Sequence, residues 1–117
     1  MLLKENATAE KLRGGYYTPT ALADFITKWG FSENNVRRVL EPSCGDGAFI
    51  ESLLKIEQPF SCTGIEIVHE EMLKVQSKIA GKEQFDIIHE DFYTWYRQNF
   101  NGEKYDLIAG NPPYIRY

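Results

Sequence analysis

Apolar positions along this chain alternate between a helical and a strand period. After Thr18-Pro19, which reads as an N-cap and first helical position, Leu22, Phe25, Ile26 and Trp29 fall at i, i+3, i+4 and i+7. That spacing predicts a helix with this stripe turned inward, ended by Gly30. Val36 to Leu40 is a short apolar run of strand type, followed by the turn Glu41-Pro42-Ser43-Cys44-Gly45-Asp46-Gly47. A helix is predicted from Ala48 to Ile56, with Phe49, Ile50, Leu53 and Leu54 inward and Pro59 after its end. Cys62 to Ile67 reads as a second strand. The helix His69 to Ala80 follows, with Met72, Val75 and Ile79 buried, a Glu70–Lys74 pair at i, i+4, and Gly81 as its stop. Phe85 to His89 is a third strand, and Phe92 to Phe100 an aromatic-rich helix with Trp95, Tyr96 and Phe100 assigned to the core. Tyr105 to Ala109 is a fourth strand, running into Asn111-Pro112-Pro113-Tyr114.

This order of elements predicts an α/β fold with a parallel sheet and right-handed crossovers. Ligands on such sheets bind beyond the carboxyl ends of the strands, near the point where strand order reverses. The unusual polar residues of this chain sit at those ends. Residues 1–30 form an arm and helix, and residues 31–117 one continuous α/β unit. With 117 residues the chain is one small domain or part of a larger one.

Composition narrows the class. Hydrophobic residues make up 43% of the chain, enough for a core, yet no apolar run approaches a membrane span. The start, Met1-Leu2-Leu3-Lys4-Glu5, is too short and too soon polar for a signal peptide. Cys44 and Cys62 stand in no metal-ligand spacing and read as free thiols of a cytoplasmic protein. His69 and His89 lack partners at ligand spacing, so no metal is expected. A net charge of −4 sits poorly with phosphate binding, which usually shows as a basic patch.

The strand ends carry the candidate chemistry. Gly45 and Gly47 permit a tight turn on which a ligand can lie against backbone. A dinucleotide fingerprint would place a third glycine where this chain has Ile50. Glu41 and Asp46 flank the turn and suit a ligand bearing a positively charged amine or sulfonium. The alternative for Asp46 is a helix N-cap. Glu66, about twenty residues past the turn, is placed to accept ribose hydroxyls. Asp91 and Phe92 could hold and cover an adenine, or Asp91 could only cap its helix. In the last loop, Asn111 and Pro112 offer carbonyl acceptors on a stiff backbone, and Tyr114 offers a stacking face. Together these describe a site for adenosylmethionine and a target amino group on a planar system.

Gly14-Gly15-Tyr16-Tyr17-Thr18-Pro19, Leu40 to Phe49, Gly64-Ile65-Glu66-Ile67, His89 to Tyr93 and Asn111 to Arg116 resemble the adenine-N6 DNA methyltransferases of restriction–modification systems. The motif order is similar to their gamma class. The resemblance implies a Rossmann-like methyltransferase fold with S-adenosylmethionine as cofactor, truncated here after the fourth parallel strand. It implies that Tyr17, Thr18 and the turn containing Glu41, Ser43, Gly45 and Gly47 hold the methionine end. Glu66 would take the ribose hydroxyls, Ile67 and Phe92 would sandwich the adenine, and Asp91 would bond its amino group. Asn111 and the Pro112 carbonyl would accept from the N6 amine of a flipped target adenine stacked on Tyr114. Glu41 stands where the family often has aspartate. The partner would be double-stranded DNA, bound through a C-terminal recognition region outside this chain that also carries the missing basic surface. The chain alone would be inactive, with an open sheet edge available for self-association. Two other readings stand beside this one: transfer to a protein glutamine amide or RNA base, and a fragment that binds cofactor without catalysis.

Overall fold

The computed structural model describes residues 18–32, 35–45, 47–99, 102 and 104–111. Its elements are α1 (Thr20–Ser32), β1 (Arg38–Glu41), α2 (Ala48–Leu54), β2 (Ser61–Glu66), α3 (His69–Lys78), β3 (Phe85–His89), α4 (Phe92–Asn99) and β4 (Leu107–Ile108). All four strands are parallel, in the order β3-β2-β1-β4. Chain order therefore reverses beside β1: β2 and β3 extend one way and β4 lies on the other side. Glu41 at the end of β1 and Ala109 to Asn111 after β4 meet at that reversal.

Alternation along the strands divides the core in two. Val39, Cys62 and Phe85 pack with Ile50 and Leu53 of α2, Val75 of α3 and Ile79 just after it. Phe31, Phe60 and Phe85 close this layer edge to face, with centroids 5.4 and 5.7 Å apart. On the opposite face Leu40 and Ile65 pack with Trp95 of α4. Ile50, Leu53 and Ile65 are essentially sealed from solvent, each contributing about 1.5–3 kcal/mol by burial. Asp106 fixes the entry to β1 by accepting from the Arg37 and Arg38 backbone N–H groups, both at 2.9 Å. Those two donors hold its carboxyl below the usual aspartate range.

Helix α1 is turned the other way from the sequence expectation. Leu22, Phe25, Ile26 and Trp29 are exposed, Phe25 by 60% and Trp29 by 65%. The buried face is Ala23, Thr27, Gly30 and Phe31. Small residues win because α1 approaches its neighbours closely: Ala23 packs with Phe49 and Ala109. A methyl group on Gly30 would lie 2.9 Å from Leu107 Cδ1. Gly30 is thus a packing residue inside the helix, which continues to Ser32. Asp24 clasps α1 to α2, accepting from Ser52 Oγ at 2.6 Å and Lys55 Nζ at 2.8 Å, and these donors lower its pKa.

Other differences are local. Helices α2 and α3 stop at Leu54 and Lys78, short of the expected Ile56 and Ala80. Strand β1 is displaced towards Glu41, β2 runs Ser61–Glu66, and β4 is two residues long. Lys74 pairs with Glu71 at 3.6 Å rather than with Glu70. Trp95 is buried as expected, but Tyr96 is 44% exposed; Phe100 lies outside the described residues. Among the described residues no helix is long and apolar enough to cross a membrane.

Candidate functional site

The turn after β1 is built on two glycines with left-handed backbone, Gly45 at φ 57° and Gly47 at φ 90°, a conformation that disfavours side chains. Gly47 is itself the N-cap of α2, with no side-chain cap; Asp46 lies outside the described residues, so its cap reading goes with it. The Cys44 N–H donates to the Ile65 carbonyl at 3.0 Å, which fastens the turn to β2. Glu66 completes that fastening. Its Oε1 accepts from Gly45 N–H at 2.7 Å and its Oε2 from Val68 N–H at 2.8 Å. The carboxylate at the end of β2 therefore joins two loops before any ligand arrives. Each oxygen retains a lone pair for a further donor.

Glu41 is the deepest polar group at these strand ends, 1% exposed. Its Oε1 accepts from Ser43 N–H at 2.9 Å. Burial, and secondarily the charge of Glu66, outweigh that bond and push its pKa up to about 8. Ser43 Oγ is buried and, among the described residues, has no hydrogen-bond partner. An orphaned buried hydroxyl beside a carboxyl of such low exposure is unusual, because buried polar side chains are almost always hydrogen-bonded.

Gly110, between β4 and Asn111, has no role in the sequence reading. Here a Cβ on Gly110 would lie 2.5 Å from Glu41 Oε1, so a side chain at this position would have to displace the Glu41 carboxyl. Beyond it, Asn111 Nδ2 donates to Thr18 Oγ1 at 3.3 Å. That bond joins residues from the two extremes of the described chain, both of them expected at the site. Gly64 was likewise unassigned. A Cβ there would meet Cys44 Sγ at 2.6 Å and Ile87 Cδ1 at 2.7 Å; a glycine inside a strand was its signal.

The third strand end is looser. The Glu90 N–H donates to the Glu66 carbonyl at 3.1 Å, placing Asp91 next to the end of β2. Asp91 Oδ2 accepts from Thr94 N–H at 3.0 Å and Thr94 Oγ1 at 3.1 Å, so the capping role is realised. Phe92 is half-buried against Trp95, and Ile67 is 60% exposed. The His69 and His89 rings pack 5.1 Å apart, and His89 Nε2 lies 3.0 Å from the Ile67 carbonyl. No group of metal-ligating side chains occurs among the described residues. Cys44 and Cys62 are free and buried. Burial raises both thiol pKa values, that of Cys62 to about 12, which leaves neither suited to nucleophilic attack. Tyr17, Pro112 and Tyr114 lie outside the described residues. A cleft of about 250 Å³ between α4 and the sheet, lined by Arg38, Thr63, Asp86 and Trp95 among others, contains none of the expected site residues.

Comparison with known proteins bears on the family and the fold. The N-6 DNA Methylase family matches residues 1–117. Modification methylase CviBIII of Paramecium bursaria Chlorella virus NC1A is 33% identical over 107 residues, covering 88% of this chain and 26% of that protein. Type II methyltransferase M.CvrRI of Paramecium bursaria Chlorella virus XZ-6E is 32% identical over 113 residues, covering 96% and 27%. The chain thus spans about a quarter of the length of these relatives. Among solved structures, a SAM-dependent O-methyltransferase from Thermotoga maritima aligns with a TM-score of 0.62 at 15% identity, over 82% of this chain and 36% of that one. SAM-bound CalS10, an amino pentose methyltransferase from Micromonospora echinaspora, aligns with a TM-score of 0.59 at 17% identity, over 95% and 43%. The fold is the Rossmann-like fold of SAM-dependent methyltransferases.

Proposed function

The chain belongs to the N-6 DNA methylase family, and from that premise we propose that it serves methyl transfer to the N6 amine of adenine in double-stranded DNA, within a restriction–modification system. The observation that carries this reading is the meeting of Thr18, Glu41, Gly110 and Asn111 at the strand reversal. It brings the cofactor-turn residues and the start of the Asn-Pro-Pro-Tyr loop to one place. When bound, S-adenosylmethionine supplies an electrophilic methyl group on a sulfonium.

The residues present fit that cofactor. Ser43 Oγ is a buried hydroxyl awaiting a partner, Glu41 is a buried acid matched to a cation, and Glu66 is held at the end of β2 for hydroxyl donors. Asp91 and Phe92, next along the strand ends, suit an adenine amino group and ring. The chain's own part in catalysis falls to Asn111. An aryl amine is a weak nucleophile because its lone pair is delocalised into the ring. The Asn111 side-chain carbonyl and the Pro112 carbonyl accept its two hydrogens, favour a pyramidal nitrogen and stabilise the positive charge that develops on it. Tyr114 stacks on the extruded base, offsetting roughly 1–3 kcal/mol of the cost of leaving the duplex. For that task the Asn111 amide presents its oxygen to the target while its nitrogen donates to Thr18.

The test is incorporation of labelled methyl groups into duplex DNA by the full-length protein, with N6-methyladenine identified in the digested product. Label on cytosine, on RNA or on protein glutamine in its place would refute the assignment.

A further inference from the structure

Glu66 and Glu41 are both buried at neighbouring strand ends, yet they are solvated by the fold very differently. Glu66 receives a backbone donor on each oxygen. Glu41, buried more deeply, receives the Ser43 N–H on one oxygen alone among the described residues. Among the described residues, the groups packed around it add no compensating cation. From β2 it faces the Glu66 carboxylate and the Cys62 thiol, and from its own turn the Cys44 thiol. From the end of β4 it meets the backbone of Gly110. At the outer side of the turn Lys78 of α3 lies against Gly47, but it is paired with Glu51 at 3.2 Å. A carboxylate in this setting lacks the donors that would replace its hydration.

We propose that Glu41 holds a proton in the ligand-free protein and releases it when the cationic methyl donor enters the site, so that cofactor binding exchanges a proton for a positive charge. The inference rests on the cofactor reading given above and adds a property that reading does not require. In the free state a neutral carboxyl avoids an uncompensated buried charge beside Glu66. With a cation at the strand ends the ionised form gains the partner it lacked, and its pKa falls. The proton leaves to bulk buffer, and no other bond changes. Because Glu41 touches Gly110, the residue before Asn111, the ionisation occurs where the cofactor turn and the target loop abut.

The test is titration calorimetry of the full-length protein with S-adenosylmethionine at pH 7, in buffers of different ionisation enthalpy. A group with a free-state pKa of about 8 is roughly nine-tenths protonated at pH 7, so close to one proton per ligand should be released. Release should decline as the pH is raised past 8 and be absent in Glu41→Gln, which keeps an acceptor for Ser43 N–H. Subtracting the variant also removes any proton exchanged by the ligand's own amine. Binding heat that is independent of buffer, or equal proton release in Glu41→Gln, overturns the proposal while leaving cofactor binding intact. Absence of binding heat in a folded wild-type sample overturns the cofactor reading itself.

Discussion

At the scale of single residues, the site is decided by contacts the sequence spreads far apart. Glu41 was recognisable as an acid beside a glycine turn, but its isolation depends on Gly110, which reaches it only once β4 lies beside β1. That isolation has a stability consequence. The folded pKa of about 8 stands above the ordinary value of 4.5, so below pH 4.5 both folded and unfolded chains are protonated and burial carries no ionic cost. Between those values the unfolded chain ionises while the folded one keeps its proton, and stability is lost as pH rises towards 8. Glu41→Gln should remove this slope, gaining on the wild type between pH 5 and pH 8 by on the order of a few kcal/mol. Urea unfolding at a series of pH values measures it, and parallel pH profiles for the two proteins would contradict it. Gly64 provides a second residue-scale case. Gly64→Ala forces a methyl group against Cys44 and Ile87, and overpacking of this kind costs about 1–3 kcal/mol, to be read from the denaturation midpoint.

At the scale of elements, hydrophobic period identified every helix and strand among the described residues but misjudged which face of α1 is buried. Period reports that a helix is two-sided; it does not report how close the neighbour comes. Ala23, Thr27 and Gly30 are buried because α1 lies almost against Leu107 and Ala109, and bulk on that face would hold the elements apart. In α2 and α3, Ile50, Leu53 and Val75 point into the larger core cluster, as their period implies. The contrast is measurable. Leu53→Ala should cost about 2–5 kcal/mol, while Trp29→Ser, at a position 65% exposed, should change stability by less than about 1 kcal/mol. A loss at Trp29 comparable to that at Leu53 would mean that the apolar stripe of α1 is covered in solution. Strand ends were misplaced by a residue or two for a similar reason: β4 is defined by its pairing with Val39 and Leu40, which local composition does not encode.

At the scale of the whole molecule, the order β3-β2-β1-β4 places the groups of the two proposed tasks on opposite sides of β1. Glu66 and Asp91 stand at the ends of β2 and β3, on one side of the reversal, and Asn111 follows β4 on the other. Glu41 lies between them. The sequence showed the serial order of these groups. It could not show that Thr18, far from Asn111 along the chain, returns to bond it, because that contact exists only in the folded chain, where α1 is also joined to α2 through Asp24 and Ser52. The geometry predicts opposite phenotypes on the two sides. On the proposed function, Asn111→Ala would remove an acceptor for the target amine, and kcat for DNA methylation by the full-length protein should fall by about a thousandfold, in line with the loss of one preorganised charge-stabilising group. Its dissociation constant for S-adenosylmethionine should stay within a few-fold of wild type, since the cofactor turn is fastened to β2 through Cys44 and Glu66 rather than to Asn111. Asp91→Ala should weaken cofactor binding first. Because Asp91 also caps α4 through Thr94, that variant needs Asp91→Asn beside it, which keeps a capping oxygen while losing the charge. A matched set of cofactor titrations and single-turnover rates decides the point: loss of cofactor affinity in Asn111→Ala, with Asp91→Asn unaffected, would place the two tasks on the wrong sides of the sheet.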